Sequence, residues 1–256
     1  MLNVYRYGPE DGKTVLALHG ITGHGKRWES LATENLADAR VLAPDLLGHG
    51  RSSANPPWHF ESQADAVAEV LRAETGEPAL VVGHSFGGAV AIYLANRHPE
   101  LVRALVLLDP AIGLDPSLVL EVATASVAFP DYTDAAEARN EKRGSDWGEI
   151  EPRLLEAELT EHLVPTTGSR VGWRVSVPAM AAYYGELARE FMLPPAGLPT
   201  VLAQAMKVQP PYVSDAFKSA LVERLGDHLS LHEFDCNHMI PLARPADTER
   251  IIRELL

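Results

Sequence analysis

Gly83-His84-Ser85-Phe86-Gly87 is a G-x-S-x-G pentapeptide, extended by Gly88. A serine hydroxyl is a weak nucleophile. It becomes reactive when a neighbouring base takes its proton and a third group holds that base in place. The glycines point to a strand that turns sharply into a helix, with the serine held in a strained conformation and its hydroxyl exposed. A side chain two positions to either side would clash in such a turn. A glycine-rich turn with a passenger serine spells the same five letters, so the flanks decide. Here the apolar run Ala79–Val82 precedes the pentapeptide and the small-residue stretch GGAVAIYLAN follows it.

The base is read at His238, in Asp235-Cys236-Asn237-His238-Met239-Ile240-Pro241. A histidine there follows the last apolar run and can reach the C-terminal edge of a parallel sheet, where ligands gather. Of the ten histidines it alone has this placement. His98, His162 and His228 fall on helices or loops and are expected at the surface. Two residues are open for the acid. Asp109 ends a strand in Asp109-Pro110, which also reads as a plain turn, and Asp215 looks like the first turn of a helix. An oxyanion hole needs two backbone donors. These are expected from the N–H of Phe86 and, in His19-Gly20-Ile21-Thr22, the N–H of Ile21. His19 is expected to brace that loop through its ring and not to act as a second base.

The elements that must position these groups alternate short β-type runs with longer helical patterns, the sign of βαβ units around a parallel sheet. The runs are Thr14–Leu18, Arg40–Ala43, Ala79–Val82, Ala104–Leu108, Thr200–Ala203 and Leu229–Phe234. They lack strict alternation, as strands buried on both faces do. Helical spacing marks His59 to Ala73, Phe86 to Arg97 and Pro245 to Leu256. Residues 113–195 break the alternation, with helical pieces at Ser117–Ala128, Tyr132–Lys142, Arg153–Leu163 and Pro178–Met192. We read this segment as a helical cap inserted between two late strands, leaving 1–112 and 196–256 as the core domain. Peripheral helices with no role over the site are the alternative. The segment supplies Phe129, Tyr132, Trp147, Trp173, Tyr183, Tyr184 and Phe191, enough aromatic surface for an apolar pocket.

Bulk properties narrow the partners. The 256 residues suffice for one sizeable core. With 22 Lys and Arg against 35 Asp and Glu the net charge is −13, which disfavours nucleic acid and anionic membrane surfaces. No apolar run is long enough to cross a bilayer, so no stable membrane insertion is expected. The N-terminus does not read as a signal peptide, and a cytoplasmic protein is expected. The single cysteine, Cys236, cannot form an internal disulfide and is expected to be a buried structural thiol.

HGITGHGKRW, APDLLGHGRSS, GHSFGG, LVLLDPA and NHMIP together resemble the α/β-hydrolase superfamily, in the order that superfamily uses. RYGP, GHSFGGAVA, YVSDAF and DCNHMIP are similar to its serine lipases and esterases, and the likeness spans nearly the whole chain. It implies an α/β fold with a mostly parallel central sheet flanked by helices, carrying Ser85, His238 and the donors Ile21 and Phe86. The family's acid often follows the penultimate strand, but Gln204–Pro210 contains no Asp or Glu. Some members place it after the strand that follows the elbow helix. That position and the chain order Ser, Asp, His favour Asp109 over Asp215. Asn237 stands where glycine commonly precedes the histidine, and asparagine tolerates a left-handed backbone. Dehalogenases and epoxide hydrolases of this fold carry aspartate at the elbow, where this chain has serine. The resemblance therefore implies a serine carboxylic ester hydrolase acting through an acyl-enzyme on a small neutral or apolar ester, with no cofactor and no metal. Alternatives are the same triad used on a carbon–carbon bond or for acyl transfer, or a ligand-binding protein with a vestigial triad.

Overall fold

The computed structural model describes residues 1–256. The chain opens with β1 (Val4–Tyr7), β2 (Thr14–Leu18) and β3 (Arg40–Pro44), then α1 (Phe60–Glu74), β4 (Ala79–His84), α2 (Phe86–Arg97) and β5 (Val102–Leu108). It closes with β8 (Thr200–Ala205), α7 (Asp215–Leu225), β9 (Leu229–Phe234), α8 (Ile240–Ala243) and α9 (Pro245–Arg253). Seven strands form one sheet in the order β1-β3-β2-β4-β5-β8-β9, parallel except for β1. The six apolar runs read from the sequence are the six parallel strands. Alternate residues of one run serve two cores: Val81 packs with α1 and α2, whereas Leu80 and Val82 pack with Trp28, Leu31 and Ile252 on the other face.

Between β5 and β8 lie α3 (Pro116–Ala128), α4 (Ala135–Arg143), α5 (Pro152–His162), β6 (Leu163–Pro165), β7 (Val171–Trp173) and α6 (Val177–Leu187). The inserted segment is thus not wholly helical, because β6 and β7 pair as an antiparallel hairpin. Val119 of α3 and Tyr183 and Leu187 of α6 share the cluster that covers α1 and α2, so this half of the insertion has no core of its own. A separate small cluster joins Trp147, Leu155 and Leu159 to Met239 and Leu242 beside the last strand.

Three boundaries differ from the sequence pattern for identifiable reasons. β1, VYRY, was too short and polar to read as a strand, and it exists as an antiparallel edge on β3. α4 starts after Asp134, whose carboxylate caps Ala136 and Glu137, while Tyr132 pairs instead with Val171. α6 ends at Leu187, five residues short of Met192, and Phe191 packs edge-on against Phe217 of α7. No helix is long and apolar enough to cross a membrane.

Candidate active site

Ser85 stands at the junction of β4 and α2 with φ 53° and ψ −120°, a conformation that costs an L residue about 1–3 kcal/mol. The absence of side chains around it makes this possible. A Cβ on Gly83 would lie 2.4 Å from the Gly87 carbonyl oxygen, and one on Gly87 would lie 2.3 Å from that of Leu18. The start of α2 is therefore drawn onto the end of β2. The Ser85 N–H donates to the Leu108 carbonyl at 3.0 Å, which ties the elbow to β5.

β5 runs into Asp109, also at positive φ, 43°. Its N–H donates to the Ala203 carbonyl at 2.7 Å, and its Oδ1 accepts the Ala205 N–H at 3.1 Å. Oδ2 lies 2.6 Å from His238 Nδ1. A carboxylate accepts from Nδ1–H, so in the neutral ring Nε2 is the basic nitrogen. Nε2 makes no bond within the protein, and His238 and Ser85 line one cavity. Asp215, by contrast, is exposed at the start of α7 and outside that cavity.

Two neighbours steady the histidine. His84 Nε2–H donates to the His238 carbonyl at 2.9 Å, and burial holds its own pKa well below the usual histidine range, so the ring is neutral. The Tyr212 ring meets that of His238 edge-on at 4.6 Å. Neither was singled out in the sequence, although His84 sits next to the elbow serine. Asn237 does not have the left-handed backbone expected of it. Its amide donates to Glu149 Oε1 at 3.0 Å, so a side-chain tether and not backbone freedom explains the residue.

The loop after β2 turns back on itself through a Gly23 N–H to Gly20 carbonyl bond of 3.0 Å. A Cβ on Gly20 would come within 3.1 Å of Ser85 Cβ, so this backbone runs against the elbow, and Ile21 lines the cavity beside the serine. The Phe86 ring is buried among His49, Phe60 and Tyr183, and its backbone N–H directly follows Ser85. His19 uses both ring nitrogens. Nδ1–H donates to the Gly20 carbonyl at 2.8 Å and Nε2 accepts the Leu46 N–H at 3.0 Å, with burial keeping the ring neutral.

The cavity measures about 270 Å³. Leu118, Val119 and Val122 of α3 with Tyr184 and Leu187 of α6 give it an apolar wall, and Arg27, Lys142, Trp147 and Trp173 also line it. Of the seven aromatics expected there, Trp147, Trp173 and Tyr184 line the cavity. Phe129 is 81% exposed, while Tyr132, Tyr183 and Phe191 pack elsewhere. Cys236 is buried, and burial pushes its thiol up to about 11.

Arg27 and Lys142 belong to a buried ion cluster that the sequence reading did not single out. Glu158 of α5 accepts from His24 Nε2 at 2.8 Å, from Arg27 Nε at 3.0 Å and Nη2 at 2.5 Å, and from Lys142 Nζ at 3.0 Å. Burial alone would raise its pKa, but Arg27, Lys142 and His24 outweigh that and hold it well below the usual carboxylate range. Lys142 Nζ also sits 4.0 and 4.4 Å from the Trp147 and Trp173 ring centres, and burial lowers the ammonium to about 8. His162, expected at the surface, is 1% exposed and packs on His24. The signal was present. Leu155, Glu158, Leu159 and His162 recur at i, i+3, i+4 and i+7, one helical face holding two polar residues in an apolar stripe.

Residues 13–144 match the family model described as the alpha/beta hydrolase fold. The chain is similar to Lipase LipV of Mycobacterium tuberculosis, 49% identical over 255 residues that cover 100% of this chain and 97% of that protein. A pimeloyl-[acyl-carrier protein] methyl ester esterase of Neisseria meningitidis is 40% identical over 99 residues, 39% of this chain and 37% of that one. Among solved structures, a marine microorganism esterase superposes with a TM-score of 0.79 at 21% identity, covering 100% of this chain and 99% of the other. At that identity the likeness is one of fold.

Proposed function

Because the chain belongs to the α/β-hydrolase family, we propose that it is a carboxylic ester hydrolase of the esterase/lipase type in which Ser85 is the nucleophile, His238 the base and Asp109 the acid. The observation that carries this reading is the 2.6 Å His238–Asp109 pair beside a strained Ser85, with Ser85 and His238 lining one cavity and Asp109 buried behind the histidine. Ser85 Oγ attacks the ester carbonyl as His238 Nε2 takes its proton. Asp109 stabilises the imidazolium and fixes its tautomer. The N–H groups of Ile21 and Phe86 receive the oxyanion, where each preorganised donor is worth about 10²–10³ in kcat. The imidazolium then protonates the departing alcohol. Water, activated by the same Nε2, releases the acid from the acyl-enzyme.

Residues 113–195 act in this reading as the cap, supplying the apolar wall for an acyl chain together with Lys142, Trp147 and Trp173. The substrate is a small-molecule ester. Similarity to a lipase along the full chain favours ester hydrolysis over carbon–carbon cleavage or acyl transfer by the same three residues. A fluorophosphonate probe tests the central assignment. Stoichiometric labelling of the folded protein that disappears in Ser85→Ala is expected, and absence of labelling at Ser85 would sink it.

A further inference from the structure

The Ile21 donor sits in a turn with an unusual third residue. Thr22 has φ 58°. Turns with positive φ at that position call for glycine, and a β-branched residue there is an outlier. Something must hold it. The turn closes through Gly23 N–H, and the carbonyl of Thr22 itself accepts two side-chain donors, Arg27 Nη2 at 3.1 Å and His162 Nε2 at 3.0 Å. His162 is kept neutral by burial, so a single Nε2–H tautomer makes this bond.

Glu158 fixes Arg27 directly and reaches His162 only through the His24 ring packed against it. Arg27 forms a two-pronged pair with that carboxylate, and His162 lies one turn further along α5, its ring 4.6 Å from that of His24, which Glu158 also binds. Each oxygen of Glu158 takes two donors, leaving the carboxylate little freedom to shift. The strained turn belongs to the loop after β2, whereas Glu158, His162 and Lys142 belong to the insertion.

We propose that this cluster sets the oxyanion loop: Glu158 and His162, with Arg27, are positioning residues that hold the Thr22 peptide, and through it the Ile21 N–H, in the donor geometry. The insertion thus templates half of the oxyanion hole as well as covering the cavity. This rests on the ester-hydrolase reading above. Loss of the cluster lets the turn relax to negative φ and swings the donor away. The cost falls on the tetrahedral intermediate, where charge develops, and not on ground-state binding.

The test compares wild type with Glu158→Gln and His162→Phe, using p-nitrophenyl butyrate turnover and inhibition by a phenylboronic acid, which forms a tetrahedral adduct on a nucleophilic serine. Both variants should lose about 10- to 100-fold in kcat with KM changed less than threefold. Boronate affinity should fall by the same factor as kcat/KM. Thr22→Gly, which takes positive φ without strain, should recover part of the loss when combined with His162→Phe. A folded variant with kcat within twofold of wild type overturns the proposal, as does lost kcat with unchanged boronate affinity. If Glu158→Gln does not fold because two buried cations lose their partner, His162→Phe decides alone. A wild-type protein that neither turns over the ester nor takes a fluorophosphonate would contradict the ester-hydrolase reading itself.

Discussion

His238 Nδ1 and Asp109 Oδ2 are 2.6 Å apart although 129 residues separate them in the chain. The contact exists because β5 and β8 are neighbours and Asp109 leaves β5 at φ 43°, turning its carboxylate across the end of β8. The loop after β8 has no acid of its own, and β8 contributes a backbone donor instead, the N–H of Ala205. Asp109→Asn should therefore lower kcat on a short p-nitrophenyl ester by about 10³–10⁴-fold, because an amide disturbs the tautomer. Asp215→Asn should stay within twofold of wild type. Near-normal kcat in Asp109→Asn would remove Asp109 from the assignment.

The apolar wall predicts how acyl length is read. Leu118→Trp narrows the side of the cavity formed by α3 and leaves Ser85 and His238 untouched. Each methylene in such a pocket is worth about 1–3 kcal/mol. The ratio of kcat/KM for an octanoyl ester over an acetyl ester should fall at least about tenfold. An unchanged ratio would place the acyl chain elsewhere.

Buried neutral histidines predict acid sensitivity. Burial lowers His49 from 6.5 to about 4 and holds His19, His84 and His162 well below the usual range. In the unfolded chain each ring takes up a proton as the pH drops below about 6.5, while in the fold it stays neutral. The unfolded state then binds more protons, so stability is fully present above pH 6.5 and is lost as the pH falls toward 4. His49 alone accounts for about 3 kcal/mol of that loss. Urea midpoints measured from pH 8 to 4 should be flat down to 6.5 and then decline. His49→Gln should flatten the decline, and an unaltered slope would contradict it.

The fold and the strand–turn–helix around Ser85 were legible in the sequence because their signals are local. Five of the six apolar runs are strands buried along both faces, the sixth, Leu229–Phe234, being an edge strand with Leu231 exposed. Gly83, Ser85 and Gly87 announce a turn in which a Cβ on Gly83 would strike the Gly87 carbonyl four residues on. His238 was legible as the one histidine following the last strand. The candidate acid was legible only as a preference for Asp109 over Asp215, because the contact with His238 depends on which strands are neighbours and on a backbone angle. Both are tertiary quantities. The same holds for Glu158 and His162: their burial in an apolar stripe can be read along α5, but their partners Arg27 and His24 come from the loop after β2, more than a hundred residues away. What the sequence by itself determined is the set of candidate reactive groups and the sheet that carries them. Only the tertiary structure decided which charges meet, because low-dielectric burial makes a paired carboxylate stable and an unpaired one costly, and pairing across the chain leaves no periodic trace.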